Sequence, residues 1–261
     1  MLSMLKAHWH YLAKSNFTLA AFVVLALLCS FEAIAVWMHL HVPWFTELGM
    51  VVGIHDGVPS LALWGSSFVG GAFAPMFVSI LVAASTADLF SHGYVKNLLQ
   101  AKGGRVSFAF SLSLVCVAMA VLSTAVGIAV TEVGMRIAGC VPALPSLGDF
   151  LQWFVQVALC VSAYAVLTLL VVFVTKKQVI GIIAALFVGG GLVESLLQFV
   201  LANIPSLSPA IRDCLDGYLA ADVSVLASGG ICDPLSYAQS IGTILVGAAL
   251  CVLVMCRRSV G

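Results

Sequence analysis

One stretch decides the fold class: residues Phe150–Val174 read FLQWFVQVALCVSAYAVLTLLVVFV, without a charged side chain. A helix that crosses the hydrocarbon core of a bilayer needs about 20 mostly apolar residues, and this stretch is long enough. Five other stretches meet the same criterion, namely Phe17–Met38, Ser66–Ala87, Val106–Val130, Val179–Leu201 and Tyr237–Cys256. The sequence therefore predicts an all-α, polytopic membrane protein with six transmembrane helices in a single transmembrane domain, residues 1–261.

The composition supports this prediction. Hydrophobic residues make up 62% of the chain and charged residues only 8%, whereas a soluble domain carries about 25% charged residues. The net charge is zero, so nothing in the charge indicates binding to nucleic acid. The first apolar run continues through Trp37, which is longer than the apolar core of a secretion signal, so we expect an uncleaved first span.

The basic residues predict the orientation of the spans. Nine of the eleven Lys and Arg residues fall on one side: Lys6, Lys14, Lys96, Lys102, Arg105, Lys176, Lys177, Arg257 and Arg258. Only Arg136 and Arg212 fall on the other. Cytoplasmic loops carry an excess of Lys and Arg, so we expect both termini in the cytoplasm. On the outer side, residues 202–236 form the longest segment, and the pattern of Ala210–Ala227 predicts a short helix there.

The connection between spans two and three is the most informative loop. Residues 88–105 read DLFSHGYVKNLLQAKGGR, in which Ser91 can cap a helix start and Gly103 can end it. Apolar residues share one face and polar residues the other, which predicts a short amphipathic helix on the cytoplasmic side. Such a helix can rest on anionic lipid headgroups, or it can be a docking surface for a cytoplasmic partner.

The pattern Asp88-x4-Gly93-x2-Lys96-Asn97-Leu98-Leu99-x5-Arg105 resembles the coupling-helix signature of ABC type-2 transporter permeases. Members of that family have an amphipathic N-terminal helix, six spans, both termini inside and a long outer segment between the last two spans. Residues 1–16 match the N-terminal helix and residues 202–236 the outer segment. Where many relatives carry a Ser-Lys pair soon after the arginine, this chain has Phe110-Ser111-Leu112.

The resemblance implies a transport subunit of the bacterial cytoplasmic membrane. A separate cytoplasmic ATPase would dock against 88–105, and a second permease copy or a related permease would complete the path through the bilayer. The expected cargo is an amphipathic peptide, drug or lipid-like molecule, as in bacteriocin or lantibiotic immunity and antibiotic resistance. The chain has no Gly-x4-Gly-Lys-Ser/Thr loop to hold phosphates, so we expect ATP to be used by the partner, no bound cofactor and no enzymatic activity of its own.

Two acidic residues, Glu32 and Glu194, fall within predicted spans. A charge at the bilayer centre costs roughly 2.5–3.5 kcal/mol, so such residues usually face protein or water. Either glutamate could line the substrate path or a subunit interface. Alternatively, Glu194 could be a protonated or hydrogen-bonded structural residue, and Glu32, near the outer end of the first span, could simply reach the membrane interface. An alternative function follows, in which the chain is a secondary transporter driven by an ion gradient, with Glu194 as the ion or proton site.

The remaining candidate sites are weaker. Cys214 and Cys232 share the outer segment, where an oxidising exterior permits a disulfide, although two free thiols are the alternative. His39 and His41 lack further ligands nearby, so no metal site is predicted. No catalytic set is found. Glu132 and Arg136 are spaced i, i+4 and are expected to pair.

Overall fold

The computed structural model describes residues 2–42, 56–91, 104–203 and 218–257. Helices account for nearly all of these residues, and no strand occurs among them. The helices are α1 (Leu2–Lys14), α2 (Asn16–Cys29), α3 (Phe31–His41), α4 (Ser60–Trp64), α5 (Phe73–Ser91), α6 (Gly104–Ala138), α7 (Leu147–Thr175), α8 (Gln178–Gly189), α9 (Leu192–Ala202), α10 (Leu219–Ala227) and α11 (Pro234–Arg257).

Five helical segments are long and apolar enough to cross a membrane: Asn16–His41, Ser60–Ser91, Gly104–Ala138, Leu147–Thr175 and Pro234–Arg257. They coincide with five of the six predicted spans. The sixth, predicted as one helix over Val179–Leu201, is instead two helices, because α8 ends at Gly189 and α9 begins at Leu192. Alone, α8 is about 18 Å long, too short for a hydrocarbon core of about 30 Å.

Helix α7, the stretch with which the sequence prediction began, lies at the centre of the bundle. It packs against α5, α6, α8, α10 and α11, and Trp153, Leu169 and Phe173 are fully buried along it. The helix begins after Ser146, whose hydroxyl oxygen accepts a hydrogen bond from the backbone N–H of Asp149. Its long apolar sequence is therefore surrounded largely by protein.

The N-terminal helix α1 lies against α6 and α2. Its inner face buries His8 and Leu12, while Trp9 is exposed. The His8 ring meets the Phe108 ring edge to face, with 5.2 Å between centroids. Burial lowers the pKa of His8 below its ordinary value. The helix is amphipathic, as residues 1–16 predict, but its inner face contacts the bundle.

The second span is interrupted. Between α4 and α5 the chain forms a π-turn (Gly65–Val69) and a 3₁₀-turn (Gly70–Ala72). Gly71 and Ala72 have positive φ values of 61° and 59°. Pro75 provides a physical reason, because proline is tolerated in the first turn of a helix but disrupts its interior. By restarting the helix at Phe73, the chain places Pro75 in the first turn of α5.

Candidate functional site

The two interrupted helices face each other. A Cβ atom added to Gly189 would lie 2.9 Å from the Cα of Met76, so the end of α8 touches the backbone of α5. One break lies at Gly70–Ala72 and the other at residues 190–191, where Gly191 has a φ of 73°. The consecutive glycines Gly189, Gly190 and Gly191 of the fifth predicted span thus have a counterpart in the Gly70-Gly71 pair of the second span.

Between the two breaks lies a cavity of about 450 Å³, which we call the outer cavity because it is closed by part of the segment that the sequence predicts to lie on the outer side. Its wall combines the backbone of both breaks, the hydroxyl groups of three side chains, and one face of α10. The lining residues are Gly71, Ala72, Tyr164, Gly190, Gly191, Ser195, Ala220, Val223, Ser224 and Ala227. Irregular backbone at membrane depth is tolerated where it is buried in protein or lines a water-filled cavity, and both breaks line this one.

Glu194 is directly connected to this wall. One carboxylate oxygen accepts a hydrogen bond of 2.6 Å from the Tyr164 hydroxyl. The other accepts a hydrogen bond of 2.9 Å from the backbone N–H of Ala220, in the first turn of α10. The first N–H groups of a helix lack intrahelical partners and attract negative charge. Glu194 therefore caps α10 from a different helix. It is hydrogen-bonded, and both of its partners line the cavity, so both alternatives given for Glu194 in the sequence analysis remain compatible with its position.

Helix α10 is also held by α7. The Trp153 ring N–H donates to the carbonyl of Leu226 over 3.1 Å. The Gln156 amide donates to the carbonyl of Cys232 over 2.8 Å and accepts from its N–H over 3.0 Å. These are buried polar groups in an apolar helix, where an unpaired partner would cost about 1–3 kcal/mol.

A further set of contacts joins α10 to the start of α11 and to the π-turn. Asp222 accepts a hydrogen bond of 2.6 Å from the Ser236 hydroxyl, and burial raises the pKa of this aspartate. A Cβ atom on Gly65 would lie 2.5 Å from the Leu226 carbonyl oxygen, so only glycine fits there. Helix α10 thus closes the outer cavity from one side and is fixed at several points. It also occupies the end of the segment for which the sequence predicts a short helix.

Cys232 lies at the end of this network. Its thiol is buried and within 3.7 Å of the Asp222 backbone oxygen, and burial raises its pKa to about 12. A thiol with so high a pKa is a poor nucleophile at neutral pH. Cys214 lies outside the described residues, so its pairing with Cys232 stays a prediction.

At the opposite end of the bundle the structure describes only the borders of the predicted coupling segment. Asp88 lies in the last turn of α5 and accepts a hydrogen bond from the Tyr11 hydroxyl of α1. Arg105 lies at the start of α6 and donates to the carbonyl of Cys256 in α11 over 3.2 Å. Five residues of the predicted signature lie outside the described ranges: Gly93, Lys96, Asn97, Leu98 and Leu99.

Glu32 is in contact with the second span rather than with the outer cavity. Its carboxylate accepts a hydrogen bond of 3.3 Å from the Ser66 hydroxyl in the π-turn. Nearby, Glu132 and Arg136 form the predicted ion pair at 2.6 Å, and the Trp64 ring N–H donates to Glu132 over 3.2 Å. These contacts connect α3 to the π-turn and α4 to α6.

Neither a protein-family model nor a curated protein sequence matches this chain. Its five long apolar helices fit a multi-pass membrane protein. Within the four described ranges, no three His, Cys, Asp or Glu side chains are grouped so that they could hold a metal ion. Function must accordingly be inferred from the contacts above.

Several residues of the site were missed in the sequence. Tyr164, Gln156 and Trp153 occur in an apolar stretch and carry no motif. Their signal is that each brings a polar group into a predicted span, where such a group needs a partner. The pair Gly70-Gly71, five residues before Pro75, is the corresponding signal for the break in the second span.

Proposed function

We propose that the chain is the membrane-spanning permease subunit of an ATP-binding-cassette exporter. In this role it forms the substrate path, couples to a separate cytoplasmic ATPase and works with a second permease copy or a related permease. The cargo is an amphipathic peptide, drug or lipid-like molecule. The observation that supports the proposal most directly is that both borders of residues 88–105 are bonded to other helices of the bundle.

These contacts give the predicted coupling segment a mechanical connection to four helices. Asp88 joins the end of α5 to α1 through Tyr11, and Arg105 joins the start of α6 to the end of α11 through Cys256. A force exerted by a docked ATPase on the segment would therefore act on α1, α5, α6 and α11 together. A helix that only rested on lipid would need amphipathicity but not these connections.

The test is a double substitution, Lys96→Ala with Asn97→Ala, in proteoliposomes that contain the chain and the ATPase that co-purifies with it. We expect ATP hydrolysis to continue while ATP-dependent transport is lost, because the two side chains belong to the proposed docking face. Lys177→Ala removes one positive charge from a different connection on the predicted cytoplasmic side and is the matched control, with transport retained. Normal coupling in the double variant would favour the lipid-resting helix, and failure of any ATPase to co-purify would refute the proposal.

A second candidate, a secondary transporter driven by an ion gradient, is favoured by one specific observation. Glu194 lies beside two interrupted helices, an arrangement in which transporters of that class place their substrate and ion sites. This candidate predicts transport that persists without ATP and collapses with the ion gradient. It also predicts that transport by the Glu194→Gln variant no longer depends on the ion gradient. The exporter proposal instead predicts that transport depends on ATP in both the wild type and this variant.

A further inference from the structure

We propose that the outer cavity is a binding site for an organic ammonium group, with Glu194 as its counter-charge. The inference rests on the proposed function in one respect only, namely that the bound amine would be cargo. Binding itself requires neither ATP nor a partner subunit.

The size of the cavity suits a small organic ligand. Its volume of about 450 Å³ lies within the range of about 300–1,000 Å³ that is usual for small-molecule pockets. Gly190 is twelve residues from Gln178, the first residue of α8. At 1.5 Å per residue, the break lies about 18 Å from that end, near the middle of a hydrocarbon core. A ligand in the cavity would thus be held well inside the membrane.

The hydrogen-bonding groups of the wall favour a ligand that donates. The Tyr164 hydroxyl donates to Glu194, the Ser195 hydroxyl donates to the Gly191 carbonyl over 2.9 Å, and the Ser224 hydroxyl donates to the Ala220 carbonyl over 3.1 Å. Each hydroxyl has one proton and two acceptor lone pairs, so each can offer only an acceptor to the cavity. An alkylammonium group carries up to three N–H donors and no acceptor, which makes it complementary to this wall.

The charge around the cavity points in the same direction. Across the outer ends of the described helices, Arg136 is the only Lys or Arg, and it is engaged by Glu132. Asp222 lies on the same helix as the cavity-lining Ser224. The Glu194 carboxylate accepts the hydrogen bond of the cavity-lining Tyr164. Low-dielectric walls focus the field of such charges into a cleft. A cation is therefore attracted, and an anion would be repelled by two carboxylates, with no lysine or arginine among the described residues of the cavity wall.

The test uses thiol probes on helix α10. Ser224→Cys places a cysteine on the cavity wall, and Ser228→Cys places one on the exposed end of the same helix, one turn away. Each purified variant is treated with a cationic trimethylammonium-ethyl methanethiosulfonate and with its anionic sulfonatoethyl counterpart. The rate of modification by the cationic reagent, divided by the rate for the anionic reagent, is measured at both positions, and its value at position 228 is the reference. We expect the ratio at position 224 to favour the cation by a further factor of at least ten, because even in bulk water a unit charge about 6 Å away favours a cation over an anion by about that factor.

Occupancy is measured by protection. Hexylammonium should slow the modification of the Ser224→Cys variant, whereas hexanol and hexanoate, which share its chain length, should not. Adding Glu194→Gln should reduce the charge preference to what Asp222 alone supports and should abolish the protection. Asp149→Asn is the control, because it removes one exposed outer carboxylate that does not line the cavity, and it should leave both unchanged.

Several results would overturn the inference. These are equal rate ratios at positions 224 and 228, faster modification by the anion, or equal protection by hexylammonium and hexanoate. The Ser224 and Ser228 comparison needs no change at Glu194, so it remains decisive if Glu194→Gln impairs folding. The thiol-modification experiment uses no ATPase. The absence of a co-purifying ATPase would therefore refute the exporter proposal without affecting the evidence for ammonium binding.

Discussion

The backbone of α10 closely approaches the interrupted second span at Gly65, and replacing this glycine by alanine gives a sharp test of the packing around the outer cavity. The new Cβ atom would lie 2.5 Å from the Leu226 carbonyl oxygen and 2.6 Å from that of Ala227. Ordinary non-bonded contacts are near 3.5 Å, so the two backbones must separate by about 1 Å. Overpacking of this kind costs about 1–3 kcal/mol.

A second contribution comes from the hydrogen bond between Trp153 and Leu226. The carbonyl that Gly65→Ala would displace is the one that accepts from the Trp153 ring over 3.1 Å. A movement of about 1 Å breaks this bond and leaves a buried donor unpaired, which costs about 1–3 kcal/mol. The total loss is about 2–6 kcal/mol. For a chain of this size, 1 kcal/mol corresponds to about 2–4 °C, so the apparent melting temperature should fall by roughly 4–24 °C.

The assay is the fraction of monodisperse protein that remains in detergent after heating, measured by size-exclusion chromatography. The matched control is Gly242→Ala in α11, where an added Cβ meets no atom within 4 Å. An alanine in a helix interior at a compatible position is neutral or stabilises by about 0.5–1 kcal/mol. If Gly65→Ala melted together with the wild type, or if Gly242→Ala were equally destabilised, the close packing of α10 against the π-turn would be wrong.

Three further outcomes are expected. Burial and Asp88 raise the pKa of Tyr11 to about 12. The contribution of the protonated Tyr11 hydroxyl to stability is therefore complete below about pH 10 and is lost as the pH rises towards 12. The difference in tyrosinate absorbance between wild type and Tyr11→Phe should show one tyrosine that ionises at a higher pH than the others. Burial lowers the pKa of His8, so the neutral ring is favoured in the fold and its contribution is complete above about pH 6.5. Below that pH the contribution is lost as the pH falls. The difference in melting temperature between wild type and His8→Phe should therefore be constant above about pH 6.5 and should shift against the wild type below it. Gln156→Leu leaves the N–H and the carbonyl of Cys232 unpaired, at a cost of about 1–3 kcal/mol each. The Cys232 thiol, which is buried in the wild type, should then become exposed and react with maleimide. A Cys232 thiol that stays unreactive in this variant would contradict the role given to Gln156.

The membrane-spanning helices were predictable because the underlying signal is additive. Every apolar residue over Phe150–Val174 contributes to the same conclusion, and no single contact decides it. The pair Glu132 and Arg136 was likewise predictable, because helix geometry alone brings residues four apart together.

The outer cavity depends on information of another kind. The prediction of one helix over Val179–Leu201 failed at its middle, since Gly191 adopts a positive φ that an apolar count does not register. Glu194 lies only 30 positions from Tyr164, but their contact depends on how α9 returns beside α7. Hydropathy fixes the length of a helix and says little about which faces meet.

Helix α5 connects the two ends of the molecule. Its first turn follows the break that lines the outer cavity, and its last turn carries Asp88, sixteen residues beyond Ala72 and therefore about 24 Å away. The helix is buried along most of its length and contacts α8 at two glycines: a Cβ atom on Gly181 would lie 3.3 Å from the Cβ of Ala83, and Gly189 touches Met76. Close-packed helices transmit displacement rather than absorb it. A shift of Asp88 would therefore move both walls of the outer cavity together.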